Sequence, residues 1–280
     1  MPGEETTQPS GYVDVAEGVR LYYESYGVGD PLVFIHAWSL STRVWWQQVH
    51  ALGEKYRVIT VDLRGHGNSS KSWDGHTVAH YGRDIRHFLM RLHLKNVVLI
   101  GWSIGCAVIQ EYLKQFGGAD LKGVVFDDQS PYFFKEPGWK LGLKRGKFTP
   151  EDLHAYLIGL QTNRYGLSVQ SFKDYFYKPP SEETLSWLIQ ESFRTPTALG
   201  ACITYDLAYR DFRPTLRQIR VPTLLFFGVG GNTFLPETGE YMRKQIPESK
   251  LIIFEKSGHC LHLEETEKFN RELDRWVSSL

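Results

Sequence analysis

The run Val97-Val98-Leu99-Ile100-Gly101-Trp102-Ser103-Ile104-Gly105-Cys106-Ala107-Val108-Ile109 constrains this chain more than any other stretch. Val97 to Ile100 reads as a buried strand, and Val108, Ile109, Tyr112, Leu113 and Phe116 recur at helical spacing. Only a sharp turn fits between them, with Ser103 at its apex. A serine placed there is held in a strained backbone conformation, and its neighbours two residues away must be small for strand and helix to approach. Ser103 would then stand proud of the sheet as a nucleophile, with the Ile104 N–H facing the oxygen of a bound carbonyl. The plainer alternative is a serine that merely caps the following helix.

Strands and helices alternate around this element. Tyr12–Val15 and Leu21–Tyr26, separated by Glu17-Gly18, read as a β-hairpin. Pro31–His36 and Tyr56–Asp62 are short apolar strands with a crossover helix expected over Val44–Leu52, and Thr77–Leu92 has helical spacing at Ile85, Phe88, Leu89 and Leu92. Leu121–Asp128 is a further strand. The alternation implies right-handed crossovers and a mostly parallel sheet after an antiparallel start. From about Pro131 to Arg213 it stops: helical patterns occupy Pro150–Gln161, Ser181–Arg194 and Thr197–Tyr209, with many aromatics. This reads as a helical cap over the carboxyl edge of the sheet, most of its aromatics forming its own small core and a few facing the cleft. Strands resume at Val221–Gly228 and Lys250–Phe254, with a helix expected over Thr238–Ile246 and an amphipathic one over Glu265–Val277.

Composition narrows the function. The 280 residues suit one large α/β domain with an inserted subdomain. Lys+Arg and Asp+Glu both number 32, so no polyanion or nucleic-acid partner is expected. No run of about twenty apolar residues predicts a membrane span. Met1–Ser10 is polar, lacks the apolar core of a signal peptide and is expected to fray. Cys106, Cys202 and Cys260 are scattered and odd in number, which argues against a disulfide framework and for a cytoplasmic, reducing setting. Clustered metal-ligand spacing is lacking, so neither metal nor cofactor is expected, and oligomeric state is not legible.

Four motifs occur in order: His36-Ala37-Trp38, Asp62-Leu63-Arg64-Gly65-His66-Gly67-Asn68-Ser69, Gly101-Trp102-Ser103-Ile104-Gly105 and Ser257-Gly258-His259. Together they resemble the α/β-hydrolase superfamily over nearly the whole chain outside the cap. The likeness is greatest to its esterase, non-haem haloperoxidase and lactonase group, whose oxyanion loop begins His-Gly-Trp. The resemblance implies an α/β-hydrolase fold: a mostly parallel eight-stranded sheet flanked by helices, its core formed by residues 1–131 and 214–280 and its inserted helical cap by 132–213. It implies Ser103 as nucleophile, His259 as the base in a loop after the last strand, and the backbone N–H groups of Ile104 and Trp38 as the oxyanion hole. The Trp38 ring, Trp102 and Tyr132 are expected to contact substrate. Alanine stands at position 37, where the family usually has glycine. His36 and His66 are expected to be structural, and His262 to be supporting or solvated.

The acid departs from the family pattern. The usual aspartate follows the strand Thr223–Phe227 in a Gly-x-x-Asp-x-x-x-Pro context. Here Gly228-Val229-Gly230-Gly231-Asn232-Thr233-Phe234-Leu235-Pro236 puts Asn232 in that slot and offers no carboxylate before Glu237. An asparagine can orient an imidazole but cannot stabilise an imidazolium by charge. Glu237 opens a helix, where an acidic residue suits the helix dipole. Some superfamily members place their acid after the strand that follows the nucleophile, which here ends in Asp127-Asp128. Strand alternation turns these two to opposite faces; the offset seen in those relatives favours Asp128, with Asp127 its rival.

The leading expectation is thus a carboxylic-ester or lactone hydrolase acting on a small, largely apolar molecule through an acyl-enzyme, with Ser103, His259 and Asp128 as its triad. Two alternatives fit the same residues: a cofactor-free dioxygenase of this fold acting on an N-heteroaromatic substrate, and a slow hydrolase-like receptor.

Overall fold

The computed structural model describes residues 10–280; the expected frayed tail, apart from Ser10, lies outside them. Eight strands form one sheet: β1 (Gly11–Ala16), β2 (Val19–Tyr26), β3 (Pro31–Ile35), β4 (Arg57–Val61), β5 (Val97–Trp102), β6 (Leu121–Asp127), β7 (Thr223–Gly228) and β8 (Ser249–Phe254). Their spatial order is β1-β2-β4-β3-β5-β6-β7-β8. β1 and β2 pair antiparallel, β2 joins β4 antiparallel, and the remaining pairs are parallel. β5 therefore sits near the middle, between β3 and β6, and every residue of it is buried.

Alternation along the central strands sorts side chains onto two faces. Val33, Ile35, Leu99, Val124 and Phe126 belong to one apolar core, which also holds residues of α2 (Val78–Arg91) and α3 (Ile104–Phe116). Leu32, Phe34, Val98, Ile100, Trp102 and Val125 belong to the other, covered by α1 (Trp46–Leu52), α10 (Leu261–Glu264) and α11 (Thr266–Val277). Burial on both faces explains why these strands read as continuous apolar runs. The first crossover enters through a 3₁₀ turn, Thr42–Trp45, before α1, and α9 (Pro236–Gln245) begins two residues earlier than its periodicity implied, with Pro236 at the helix start.

Between β6 and β7 the chain makes one turn, α4 (Leu143–Gly146), four helices, α5 (Pro150–Thr162), α6 (Arg164–Tyr175), α7 (Glu182–Ser192) and α8 (Thr197–Ala208), and a 3₁₀ helix, Arg213–Gln218. The sequence reading anticipated α5, α7 and α8. α6 escaped it because Gly166, Ser168 and Ser171 are weak helix formers; tertiary packing of Phe172 and an Asn163 cap on the Gly166 N–H hold it. No helix among the described residues is long and apolar enough to cross a membrane.

β5 and α3 meet at contact distance because two glycines allow it. A β-carbon on Gly101 would run into the Gly105 carbonyl, and one on Gly105 would overlap the Ile35 carbonyl oxygen of β3. The Gly105→Ala variant is expected to lose about 1–3 kcal/mol of stability through overpacking. Its urea-unfolding midpoint should fall accordingly; an unchanged midpoint would mean that the helix can move off the sheet freely.

Candidate active site

Ser103 occupies the turn between β5 and α3 with φ 54° and ψ −118°, in the left-handed region that costs a non-glycine residue on the order of 1–3 kcal/mol. Its side chain makes no capping hydrogen bond, so the helix-cap alternative is not what the geometry shows. The Ser103 N–H donates to the Asp127 carbonyl (3.0 Å), and its own carbonyl accepts from the Cys106 N–H (2.8 Å). The backbone is thus pinned on both sides while the hydroxyl faces a cavity of about 270 Å³.

His259 faces the same cavity from the loop after β8. Its Nδ1 lies 2.6 Å from Asp128 Oδ2, and both side chains are almost fully buried. Asp128, with φ 52°, follows β6 directly; its Oδ1 also accepts from the Gly228 N–H at the end of β7 (3.3 Å). Nδ1 being turned to the carboxylate, Nε2 is the nitrogen left for a reacting hydroxyl. The imidazole's backbone is fixed as well: the His259 N–H donates to the Tyr175 carbonyl (2.5 Å), and the His259 carbonyl accepts from Trp102 Nε1 (2.7 Å).

Asp127 points to the opposite face, where its Oδ2 is 3.3 Å from His262 Nδ1 in a fully buried pair. Burial, and then the neighbouring Asp128, push the Asp127 carboxyl well above the usual carboxylate range. Burial, and then His259, hold the His262 imidazole well below the ordinary histidine range. Two adjacent carboxyls thus meet two histidines three residues apart, one pair at the cavity and one in the core. Asn232 does not take an acid's position beside His259. It is exposed, its Nδ2 donates to Asp174 Oδ1 (2.9 Å), and its N–H donates to the Asp174 carbonyl (2.7 Å). Glu237 is exposed in the first turn of α9.

Trp38 lines the cavity, its Nε1 donating to the Gly200 carbonyl of α8 (3.1 Å) and its ring edge-on to Tyr156. Among the described residues, neither the Trp38 N–H nor the Ile104 N–H donates to a protein acceptor. Ala37 keeps a negative φ; the positive φ in this loop falls on Ser39 (57°). Asp62, just after β4, ties this loop to its own segment: its carboxylate accepts from the Thr42 and Asn68 N–H groups (both 2.6 Å). Burial raises Asp62 to about 6. His36 is structural: its Nε2 accepts from the Leu63 N–H while Nδ1 meets the Ala37 carbonyl. His66 is buried with Nδ1 on the Arg64 carbonyl.

Two expected substrate contacts need correction. Trp102 is fully buried on the face opposite the cavity, following Val98 and Ile100 by alternation, and packs against Trp45 and His262. Tyr132 is not among the lining residues; its ring lies under the Arg213 guanidinium (4.2 Å), and its neighbour Phe133 lines the cavity instead. Phe148, Tyr156, Tyr175 and Leu207 from the helical insertion and Phe234 from the loop after β7 complete the apolar wall. Phe234 had no sequence signal beyond its closeness to Asn232. Among the described residues no cluster of His, Cys, Asp and Glu could hold a metal.

A family model for the alpha/beta hydrolase fold matches residues 30–266. The chain therefore belongs to the α/β-hydrolase superfamily. It is 28% identical over 270 residues to AB hydrolase superfamily protein YisY of Bacillus subtilis, covering 96% of this chain and 99% of that protein. Identity to the non-heme chloroperoxidase CPO-A1 of Kitasatospora aureofaciens is 29%, covering 92% and 95%. The solved esterase EaEST from Exiguobacterium antarcticum superposes with a TM-score of 0.90 at 28% identity, over 95% of this chain and 98% of that one.

A lowered imidazole stays neutral as pH falls through the ordinary histidine value near 6.5. The His262 ring resonances are accordingly expected not to titrate between about pH 6 and pH 8 in an NMR titration. A midpoint within that window would show that the Asp127–His262 pair is ionic.

Proposed function

We propose that this chain is a serine hydrolase that cleaves a carboxylic ester or lactone of a small, largely apolar substrate through an acyl-enzyme on Ser103. The observation that carries this reading is the 2.6 Å contact between His259 Nδ1 and Asp128 Oδ2 at the wall of the cavity that the strained Ser103 enters. The Ser103 hydroxyl attacks the carbonyl carbon while His259 Nε2 takes its proton, and Asp128 stabilises the imidazolium that forms. The tetrahedral oxyanion receives the Ile104 and Trp38 N–H groups. His259 returns the proton to the leaving alkoxide, and water then repeats the sequence on the acyl-enzyme. Residues 132–213 act as a cap on the sheet and its flanking helices, and the cap's aromatic lining selects apolar acyl or alkoxy groups. The esterase named above supports the ester reading by its likeness over nearly the whole chain.

The test is a panel of activated esters and lactones, with intact-protein mass spectrometry to catch the acyl group on Ser103. Ser103→Ala and His259→Ala are each expected to lower kcat by about 10⁴–10⁶ with the fold intact. A Ser103→Ala variant with wild-type turnover would overturn the reading.

The two carboxyls should separate sharply. Asp128→Asn is expected to cut kcat by about 10²–10⁴ through loss of imidazolium stabilisation. Asp127→Asn alters a nearly isosteric side chain that lies in the core and does not line the cavity, and should leave kcat within about tenfold. Because the Asn232 amide is committed to Asp174, adding Asn232→Asp to Asp128→Asn should restore no activity. A crippled Asp127→Asn beside an active Asp128→Asn would reverse the assignment.

A further inference from the structure

The loop that carries His259 is held by two carboxylates from the residues that follow it. Glu265 Oε2 accepts from the Lys256 N–H (2.8 Å) and the Ser257 hydroxyl (2.7 Å), both within the loop. Glu264 reaches further. Its Oε2 accepts from the N–H of Gly258 (2.7 Å), the residue before His259, while its Oε1 accepts from the N–H of Tyr177 (2.7 Å), just beyond α6. One carboxylate therefore joins the histidine loop to the helical insertion.

The surrounding contacts make that junction tight. The His259 N–H donates to the Tyr175 carbonyl, and the Tyr175 ring lies edge-on 4.8 Å from the imidazole. A β-carbon on Gly258 would collide with the backbone of Tyr175, Phe176 and Tyr177. Asn232 holds the same segment one residue earlier, through Asp174. Segment 174–177 thus supplies an acceptor to His259 and a ring to its imidazole, and Glu264 fixes the end of that segment.

We propose that Glu264 is a positioning residue: its carboxylate, accepting from Gly258 and Tyr177 together, makes the placement of His259 depend on the docking of segment 174–177. The proposal rests on the assignment of His259 as the catalytic base. The carboxylate can serve both amides only while ionised, since a carboxylic acid turns one oxygen into a donor. Burial raises Glu264 to about 7, the amide bonds opposing the shift and Glu265 adding to it. Lys178 from the segment after α6 and Lys256 from the histidine loop line the same surface hollow as Glu264. α1 and α7 present only the uncharged Trp46, Gln47, Thr184 and Trp187 there. Protonation near neutral pH would loosen the junction, and rising pH would close it.

The experiment is a backbone amide NMR titration of the wild-type chain and of Glu264→Gln, with ester turnover measured on both. In the wild type the Gly258 and Tyr177 amide resonances are expected to shift with a common step near pH 7, and the Tyr177 step should vanish in Glu264→Gln. A glutamine offers one acceptor and one donor, so kcat of that variant should fall by about tenfold to a hundredfold, with KM nearly unchanged. Absence of the Tyr177 step in the wild type, its persistence in Glu264→Gln, or wild-type kcat in a folded Glu264→Gln would each overturn the proposal. Where Glu264→Gln does not fold, Glu264→Asp, which keeps the charge but shortens the reach to both amides, is expected to lower kcat with KM nearly unchanged, and wild-type kcat in it would overturn the proposal. Unaltered turnover in Ser103→Ala would instead strike the hydrolase reading and leave the amide titration to judge the clamp itself.

Discussion

The backbone of Ser103 is the constraint on which the rest of this structure depends. A serine at φ 54° is uphill by on the order of 1–3 kcal/mol and persists only if its surroundings leave no alternative. They leave none. Gly101 and Gly105 bring strand and helix together with no side chain between them, the Ile35 carbonyl of β3 closes the space beside Gly105, and the Asp127 carbonyl of β6 takes the Ser103 N–H. Three neighbouring parallel strands thus combine to hold one residue. The Ser39 and Asp128 backbones share the positive φ, so three non-glycine residues near the carboxyl ends of adjacent strands are held in uncommon conformations. That edge is where open α/β sheets assemble their binding sites.

From the same geometry follows the different fate of two adjacent carboxyls. Asp127 ends β6 and obeys the alternation of the strand, so its side chain joins Trp102 and His262 in the core under α10 and α11. Asp128 leaves the strand with a positive φ and turns to His259 and the Gly228 N–H. One residue of register separates a carboxyl that burial pushes well above the usual carboxylate range from one beside the cavity.

Much of this was legible before any coordinates. Period-two and period-3.6 patterns with strong punctuation identified the hairpin, the six further strands and most helices, and two glycines flanking a serine identified the elbow. Asp127 and Asp128 could be told to face opposite ways, but which one met the loop histidine depended on the turn after β6, which no periodicity describes. Asn232 looked like the substitute for an acid because spacing to Pro236 was counted along the chain. Its actual partner, Asp174, comes from a helix that weak helix formers concealed. The sequence reading places Trp102 and Tyr132 against substrate. Adjacent residues on a strand or extended segment face apart, so Trp102 enters the core and Phe133 takes the place expected of Tyr132.

The helical insertion is not a separate body laid over the sheet. Phe148, Leu153, Ile203 and Leu207 extend the core that lies under α2 and α3, while Phe172, Phe176, Leu188 and Ile189 extend the core under α1 and α11. It straddles the carboxyl edge and continues both hydrophobic layers past the ends of the strands. A cavity formed at that seam is walled by insertion aromatics on one side and by Ser103 and His259 on the other, which accounts for the aromatic lining that faces these two polar side chains. Lifting the whole insertion would expose both layers, at roughly 1.5–3 kcal/mol for each large apolar side chain uncovered. Any opening that admits a substrate must accordingly be smaller than that. Segments that pack no side chain deeply are the ones free to move cheaply. Segment 174–177, which carries the buried Phe176 and the half-buried Tyr175, is not one of these, and it is there that the backbone of the insertion touches the histidine loop.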